Sequence, residues 1–338
     1  MSTTSAEILV TGATGMVGAR ICRDLLENGR KVAGLKRPSS DLSIVERTFA
    51  GQTALMQQLE WREGDVTDVL SIDEALKGVQ QVYHAAGLVS FDPRDRERLI
   101  QINELGTANV VNMSLENGVN RLCHISSVAA LGRTEHQHVV TESATWKNSS
   151  YNTQYAKSKY AAEREVWRGI EEGLNAVIVN PTVILGPANW NSGSGLLFRA
   201  VWQGLKFYPV GATGFVDVGD VSNCAIALMD RQIFGERFII NGANISYLEL
   251  FTMIANTLKK SPPNIRVSPA LASIAWRVEK LRTLFTGKPP VITRETAHTS
   301  SASWEFDGSS VTKKTGCSYR SMEESVAEWS NVFLATGR

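Results

Sequence analysis

Ile8-Leu9-Val10-Thr11-Gly12-Ala13-Thr14-Gly15-Met16-Val17-Gly18 lies at the start of the chain. The apolar run Ile8-Leu9-Val10 is too short for anything but a buried strand. From Ala19 to Leu26 apolar residues recur at helical spacing, and Gly29 stands where a helix would end. Strand, glycine-rich turn and helix in that order form a phosphate cradle. Gly12 permits the tight turn, and Gly15 lets backbone amides approach a pyrophosphate. Gly18 allows close packing of the helix, whose positive N-terminal end faces the ligand. A glycine-rich turn alone often means only a turn. Its place between a strand and a helix predicts a dinucleotide site held by Gly12, Thr14, Gly15, Met16, Val17 and Gly18.

Alternation continues outward from that stretch. Lys31–Leu35, Leu59–Arg62, Gln81–His84, Arg121–Ile125 and Ala176–Val179 read as strands, with helical patterns such as Arg94–Asn117 and Tyr155–Glu172 between them. This predicts an α/β chain on a doubly wound parallel sheet, with ligands at the carboxyl ends of the strands. Phe238-Ile239-Ile240 reads as a late strand of the same sheet. After Pro181 glycine, proline and tryptophan become frequent. The expected organisation is a dinucleotide-binding domain over residues 1–180, rejoined by a segment near 212–243. A mainly substrate-binding, mostly helical lobe is expected over 181–338. Within it, helices are predicted over Tyr247–Lys260 and Leu271–Phe285. The second is amphipathic and basic, and packing on the lobe is favoured for it over a membrane-surface role.

The chain has 338 residues and a formal net charge of +1, without the basic excess expected of a nucleic-acid binder. Cys22, Cys123, Cys224 and Cys317 are scattered with no CxxC pair. They read as reduced residues, neither a disulfide frame nor a zinc site, and no metal is expected. The first residues lack the basic start and apolar core of a secretory signal, and no apolar run approaches the roughly 20 residues of a membrane span. A cytoplasmic protein is the expectation.

Tyr155 and Lys159 stand four residues apart in a helical pattern, so both side chains leave one face, one turn apart. A phenol with a pKa of about 10 is a poor acid or base at neutral pH, and a nearby ammonium favours its ionised form. The pair reads as a proton donor and its tuner. Alone this spacing is common on exposed helices; the phosphate cradle upstream gives it weight.

The T-G-x-x-G-x-x-G form of the cradle, together with Tyr155 and Lys159, resembles the extended short-chain dehydrogenase/reductase family, within the NAD-dependent epimerases and dehydratases. Further matching stretches are Glu63–Asp68, His84–Gly87, Asn103–Thr107, His124–Ser127 and Asn180–Pro187, and the likeness weakens after about Gly242. The resemblance implies that Tyr155 protonates a carbonyl oxygen and that Lys159 lowers the Tyr155 pKa and binds the nicotinamide ribose. Ser127 would orient the substrate oxygen, with Ser126 its adjacent competitor. Asn103 would help to place a water near the lysine, or serve only as a structural hydrogen-bond partner. Asp65 would accept from the adenine amino group with Val66 beside the ring, unless Asp65 is a helix cap. Ala85, Ala86 and Gly87 would pass under the cofactor, and Pro181, Thr182 and Val183 would border it. His84 reads as a packed strand residue. A homodimer through the helices bearing Asn103 and Tyr155 is also implied.

An acidic residue ending the second strand would bind the ribose 2′-OH of NAD. Here the stretch is Leu35-Lys36-Arg37-Pro38-Ser39-Ser40, with no carboxylate before Asp41. Arg37, assisted by Lys36 and Ser39, suits a 2′-phosphate, so NADP is favoured over NAD. The alternative is a solvated strand end. Nucleotide-sugar dehydratases carry an Asp-Glu pair where this chain has Val128-Ala129, and epimerases an arginine where Ala212–Asp220 has none. The remaining resemblance is to dihydroflavonol reductases and hydroxysteroid dehydrogenases, which implies a small carbonyl or alcohol substrate of low polarity. Val89, Phe91, Trp190, Phe207, Tyr208 and Phe215 are candidates for an apolar substrate wall, or for core. A nucleotide-sugar epimerase with retained NAD is the runner-up. A redox sensor that binds NADP without turnover is the alternative of another class.

Overall fold

The computed structural model describes residues 6–132, 139–268, 276–277 and 293–337. Seven parallel strands form one sheet in the order Glu236–Ile240, Ala176–Pro181, Arg121–Ile125, Gln81–His84, Ile8–Thr11, Val32–Lys36, Glu60–Glu63. The inner strands Ile8–Thr11 and Ala176–Pro181 are buried throughout, as parallel strands covered by helices on both faces must be. Glu60–Glu63 closes one edge with an exposed, charged pattern that discourages further pairing.

Alternation along each strand splits the core between the two faces. Ile8 and Val10 pack with Ile21 and Leu25 of the first helix, Met16–Glu27, and with Cys224 and Leu228 of Val218–Asp230. Leu9 packs on the opposite side with Ile72, Val110, Val111 and Val166. The order in which successive strands are added reverses between Ile8–Thr11 and Gln81–His84, and the crevice beyond the carboxyl ends of these two parallel strands is where such a sheet binds ligand.

The predicted strands Gln81–His84 and Arg121–Ile125 match the observed bounds and the others differ by a residue or two at their ends; the late strand Glu236–Ile240 joins the same sheet as expected, beside Ala176–Pro181. The pattern Arg94–Asn117 is less uniform than predicted. It begins as a short 3₁₀ turn, Pro93–Asp95, and an α-helical turn, Arg96–Leu99. It then passes through a π-helical stretch, Ile100–Leu105, into Gly106–Glu116. The helix Gln154–Glu171 carries Tyr155 and Lys159.

The region after Pro181 has more strand than predicted. Ala212–Asp217 does not rejoin the large sheet; it lies between Val183–Leu185 and Ala243–Ser246 in a separate three-stranded sheet. Leu185, Phe198, Phe215, Ile254, Trp329 and Phe333 form a core of their own there. Phe207–Pro209 pairs with Ile265–Val267 at the surface. The helix predicted over Leu271–Phe285 falls outside the described residues except at Trp276 and Arg277. Cys22, Cys123 and Cys224 are buried and unbridged; Cys317 is half-buried and also unbridged. Among the described residues no helix is long and apolar enough to cross a membrane, and no cluster of metal-ligating side chains occurs.

Candidate active site

The glycine turn has the shape its sequence implies. Gly12 adopts φ +67°, and a Cβ there would sit 2.6 Å from the backbone of Ala85 and Ala86. A Cβ on Gly18 would meet the Gly12 carbonyl oxygen at 2.2 Å, so the helix packs against the turn itself. Gly15 is the N-cap of the first helix and makes no side-chain cap. The first amides of that helix therefore have no side-chain acceptor from the cap position, and no acidic residue lies in the first turn. A polyanion fits such a cradle. Thr14, Gly15, Met16 and Val17 are half-exposed along its rim.

Beside the cradle, the Ala85 amide donates to the Thr11 carbonyl at 3.1 Å, and the Ala86 amide to the Thr11 hydroxyl at 3.3 Å. His84 is fully buried between the Thr11 and Thr107 hydroxyls, at 2.7 and 2.9 Å. Burial, with Lys159 nearby, pushes its pKa down to about 3, so it is neutral and structural, as the sequence reading held. Gly87, exposed at the mouth, lies where a Cβ would be 3.4 Å from Asn103 Oδ1 and 3.7 Å from Lys159 Nζ.

At the second strand end, Lys36 lies over the Trp61 ring at 5.9 Å, and Arg37 is exposed with Nη1 3.8 Å from Asp65 Oδ2. Asp65 also accepts from the amide and hydroxyl of Thr67, at 2.9 and 2.8 Å. It is not a helix cap; Asp68 caps Val69–Leu76 instead. Val66 is buried against Gly106, with its carbonyl accepting from Asn109. Arg37 and Asp65 thus face each other across the end of the crevice.

Ser126 and Ser127 part company beyond the strand Arg121–Ile125. Ser126 is buried, and its hydroxyl donates to Glu163 Oε1 at 2.6 Å. Ser127 is half-exposed and accepts from the Ala129 amide at 3.2 Å, capping a short 3₁₀ helix. Thr153 caps the helix Gln154–Glu171 through the Ala156 amide. On its first turns Tyr155 is half-buried with its ring edge-on to Phe91. Lys159 is buried and donates to the Ile125 carbonyl at 2.9 Å. Burial lowers its pKa to about 8, against the opposing pull of Glu163. At pH 7 it is still mainly a cation, a short reach from neutrality.

Asn103 lies on the π-helical stretch, a feature often found at functional sites. Its Oδ1 accepts from the Leu88 amide at 2.7 Å, and its Nδ2 donates to the Leu88 carbonyl at 3.0 Å and to Ser158 Oγ at 2.9 Å. Both amide hydrogens are engaged, so Asn103 pins the loop after Gly87 to the Tyr155 helix. That is the structural alternative named for it.

Two expected wall residues are corrected. Trp190 is buried in the lobe core, edge-on to Phe198 and Phe333, with its indole donating to Thr336 at 3.1 Å. Phe215 is fully buried against Tyr247. Both rings fill the core: Phe215 points inward from the three-stranded sheet, and Trp190, in the chain between that sheet's strand Val183–Leu185 and the helix Gly195–Trp202, packs into the same cluster. Phe207 is exposed on the surface strand, and Tyr208 packs on the lobe core. Phe91 and exposed Val89 remain on the loop beside Tyr155. The hydroxyl of buried Thr182 donates to the Ile240 carbonyl and to Asn241, while Pro181 is buried and Val183 half-buried.

The sequence reading missed Glu163, although it lies one turn beyond Lys159 on the same helical face. It gave Asn180 no role either. Asn180 Nδ2 donates to Glu163 and, at 2.9 Å, to the Ser127 carbonyl.

A parallel sheet with a glycine cradle at its switch point, and a tyrosine–lysine helix beside it, defines an NAD(P)-dependent oxidoreductase-type enzyme. More particularly, the chain belongs to the NAD dependent epimerase/dehydratase family, whose model matches residues 8–240. It is 31% identical over 267 residues to sterol demethylase protein B of Methylococcus capsulatus, covering 78% of each chain. It is 28% identical over 329 residues to a putative dihydroflavonol 4-reductase of Synechocystis sp., covering 94% of this chain and 92% of that one. The crystal structure of gox2253 superposes with a TM-score of 0.82 at 31% identity, covering 98% of both chains.

Proposed function

We propose that the protein is an NADP-dependent oxidoreductase that reduces a ketone or aldehyde of a small apolar molecule, or oxidises the corresponding alcohol. The single observation that carries this is the helix Gln154–Glu171, which bears Tyr155 and holds buried Lys159 on the Ile125 carbonyl, two residues before half-exposed Ser127, with a Cβ on Gly87 beside the cradle falling 3.7 Å from Lys159 Nζ. The nicotinamide, when bound, supplies or accepts the hydride. Tyr155 gives its proton to the carbonyl oxygen, and Ser127 orients that oxygen. Lys159 makes the phenol more acidic and reaches the ribose; its donation to the Ile125 carbonyl holds it at the end of the strand Arg121–Ile125. In the oxidative direction Tyr155 takes the proton.

Arg37 supports NADP: it is exposed beside Asp65, and no carboxylate ends the second strand. The absence of an Asp-Glu pair after Ser127 and of an arginine in Ala212–Asp220 disfavours a nucleotide-sugar substrate. The reductase names among the relatives agree with an uncharged carbonyl. Exposed Ile100 and Leu105, near Asn103, favour pairing of two copies through that helix, and we read the protein as a cytoplasmic homodimer. Identification of the nucleotide that copurifies, followed by NADPH oxidation over a panel of aldehydes and ketones, tests the reading. Retained NAD with binding of UDP-sugars would transfer the assignment to an epimerase. NADP binding without turnover of any carbonyl would transfer it to a sensor.

A further inference from the structure

We propose that Glu163 is a positioning residue behind the Tyr155–Lys159 pair: its carboxylate ties the Ser127 strand end to the Tyr155 helix and keeps the Lys159 ammonium charged. The proposal rests on the functional reading above and deepens it.

Glu163 is almost wholly buried, and a carboxylate in that position persists only when paired and hydrogen-bonded. Four elements supply its partners. Ser126 donates from the end of Arg121–Ile125, and Asn180 from Ala176–Pro181. Arg237, on Glu236–Ile240, places Nη1 3.4 Å from Oε2 and is itself anchored by donating to the carbonyls of Glu142 and Ala144. Lys159 stands one turn back on the same helix face.

These contacts carry two consequences. Ser126 and Asn180 are the neighbours that fix Ser127: one precedes it in the chain, and the other donates to its carbonyl. The carboxylate therefore sets where the Ser127 hydroxyl points relative to Tyr155. The second consequence is electrostatic. The low-dielectric core disfavours the Lys159 charge, and the titratable groups facing it from the strands beneath, His84 and His124, are themselves held neutral by burial and by Lys159. Tyr155 is its other titratable neighbour on the helix. Glu163 opposes the burial penalty on Lys159; burial pushes the Glu163 pKa up, and Ser126, Arg237, Asn180 and Lys159 itself pull it back toward the ionised form.

Replacement of Glu163 by glutamine keeps the shape and removes the charge. NADPH affinity, measured by nucleotide fluorescence between pH 6 and 10, tests the electrostatic part without requiring any substrate. The unmodified protein should lose affinity with an inflection near 8, where Lys159 gives up its proton. Glu163→Gln should move that inflection down by about one pH unit, because the cation loses its favourable neighbour. Glu163→Asp, which keeps the charge, should stay within a few tenths of the original. An inflection unmoved in Glu163→Gln overturns the proposal, as does an equal shift in Glu163→Asp. Should Glu163→Gln fail to fold, Arg237→Gln replaces it: without the cation that helps to keep Glu163 ionised, the inflection should again move down. Coupling requires the inflection to move, and an unmoved one overturns the proposal. A protein that binds NADPH but reduces no carbonyl sinks the functional reading while leaving this titration intact.

Discussion

The ring of Phe91 stands edge-on to that of Tyr155, with centroids 5.8 Å apart and planes at 67°. Phe91 follows the Ala85-Ala86-Gly87 turn, whereas Tyr155 begins a helix more than sixty residues later in the chain. An apolar face thus lies against the proposed proton donor. Phe91→Ala should raise KM for an apolar ketone about tenfold, corresponding to roughly 1.4 kcal/mol of lost contact, with little change in melting temperature. Steady-state kinetics on the best substrate, beside a thermal melt, checks both. An unchanged KM would remove Phe91 from the substrate wall.

Tyr155→Phe removes only the hydroxyl. Turnover should fall by about 10²–10⁴-fold, the range of a lost general acid, while NADPH affinity stays nearly constant. Stopped-flow hydride transfer and equilibrium nucleotide binding separate the two effects. Loss of binding with intact chemistry would contradict the proton-donor role.

Arg37 is exposed and pairs with Asp65 at 3.8 Å, a weak contact that a phosphate could displace. Arg37→Leu should reduce the preference for NADPH over NADH by about 10- to 100-fold, the scale of one or two charge-assisted hydrogen bonds. Titration calorimetry with both nucleotides reads the ratio. Equal loss of affinity for the two would mean that Arg37 serves no 2′-phosphate.

Trp190 packs between Phe198 and Phe333 and should behave as core. Trp190→Ala should cost about 3–5 kcal/mol in urea unfolding, whereas Trp190→Phe should leave KM alone. A raised KM in the phenylalanine variant, with stability preserved, would return this ring to the substrate wall.

Asp220 is almost wholly buried, and burial, with the neighbouring Asp217 carboxylate, pushes its pKa up to about 6 from 3.8. The folded value exceeds the unfolded one. Proton uptake therefore stabilises the fold below about pH 4, and that contribution is lost as pH rises through 6. Asp220→Asn stays neutral and should gain about 2 kcal/mol at pH 7.5 and almost nothing at pH 4. Denaturant unfolding at the two pH values is the check; an equal gain at both would point to a cause other than ionisation.

Much of the architecture is legible in the chain because its signals are local. The cradle is one: a positive φ at Gly12 and the backbone contact at Gly18 demand glycine within a seven-residue span, and the flanking periodicities name strand and helix. Buried strands such as Ile8–Thr11 announce themselves as short apolar runs. Tyr155 and Lys159 are readable for the same reason, since helical spacing alone puts them on one face. The break in Arg94–Asn117 was not legible, because a π-helical stretch at Asn103 has no periodicity distinct from the turns on either side.

The order of elements, the cradle and the tyrosine–lysine face therefore follow from local signals along the chain. Only the tertiary structure decided which serine of Ser126-Ser127 turns to the core, and that Trp190 and Phe215 fill a core when an aromatic residue suits a wall equally well. It alone gathered Ser126, Asn180 and Arg237 around Glu163, across separations of 37, 17 and 74 residues. The physical reason is range. Backbone conformation and helical phase are set by neighbours a few residues away, whereas burial and the pairing of a charge depend on elements that meet only when the sheet is assembled.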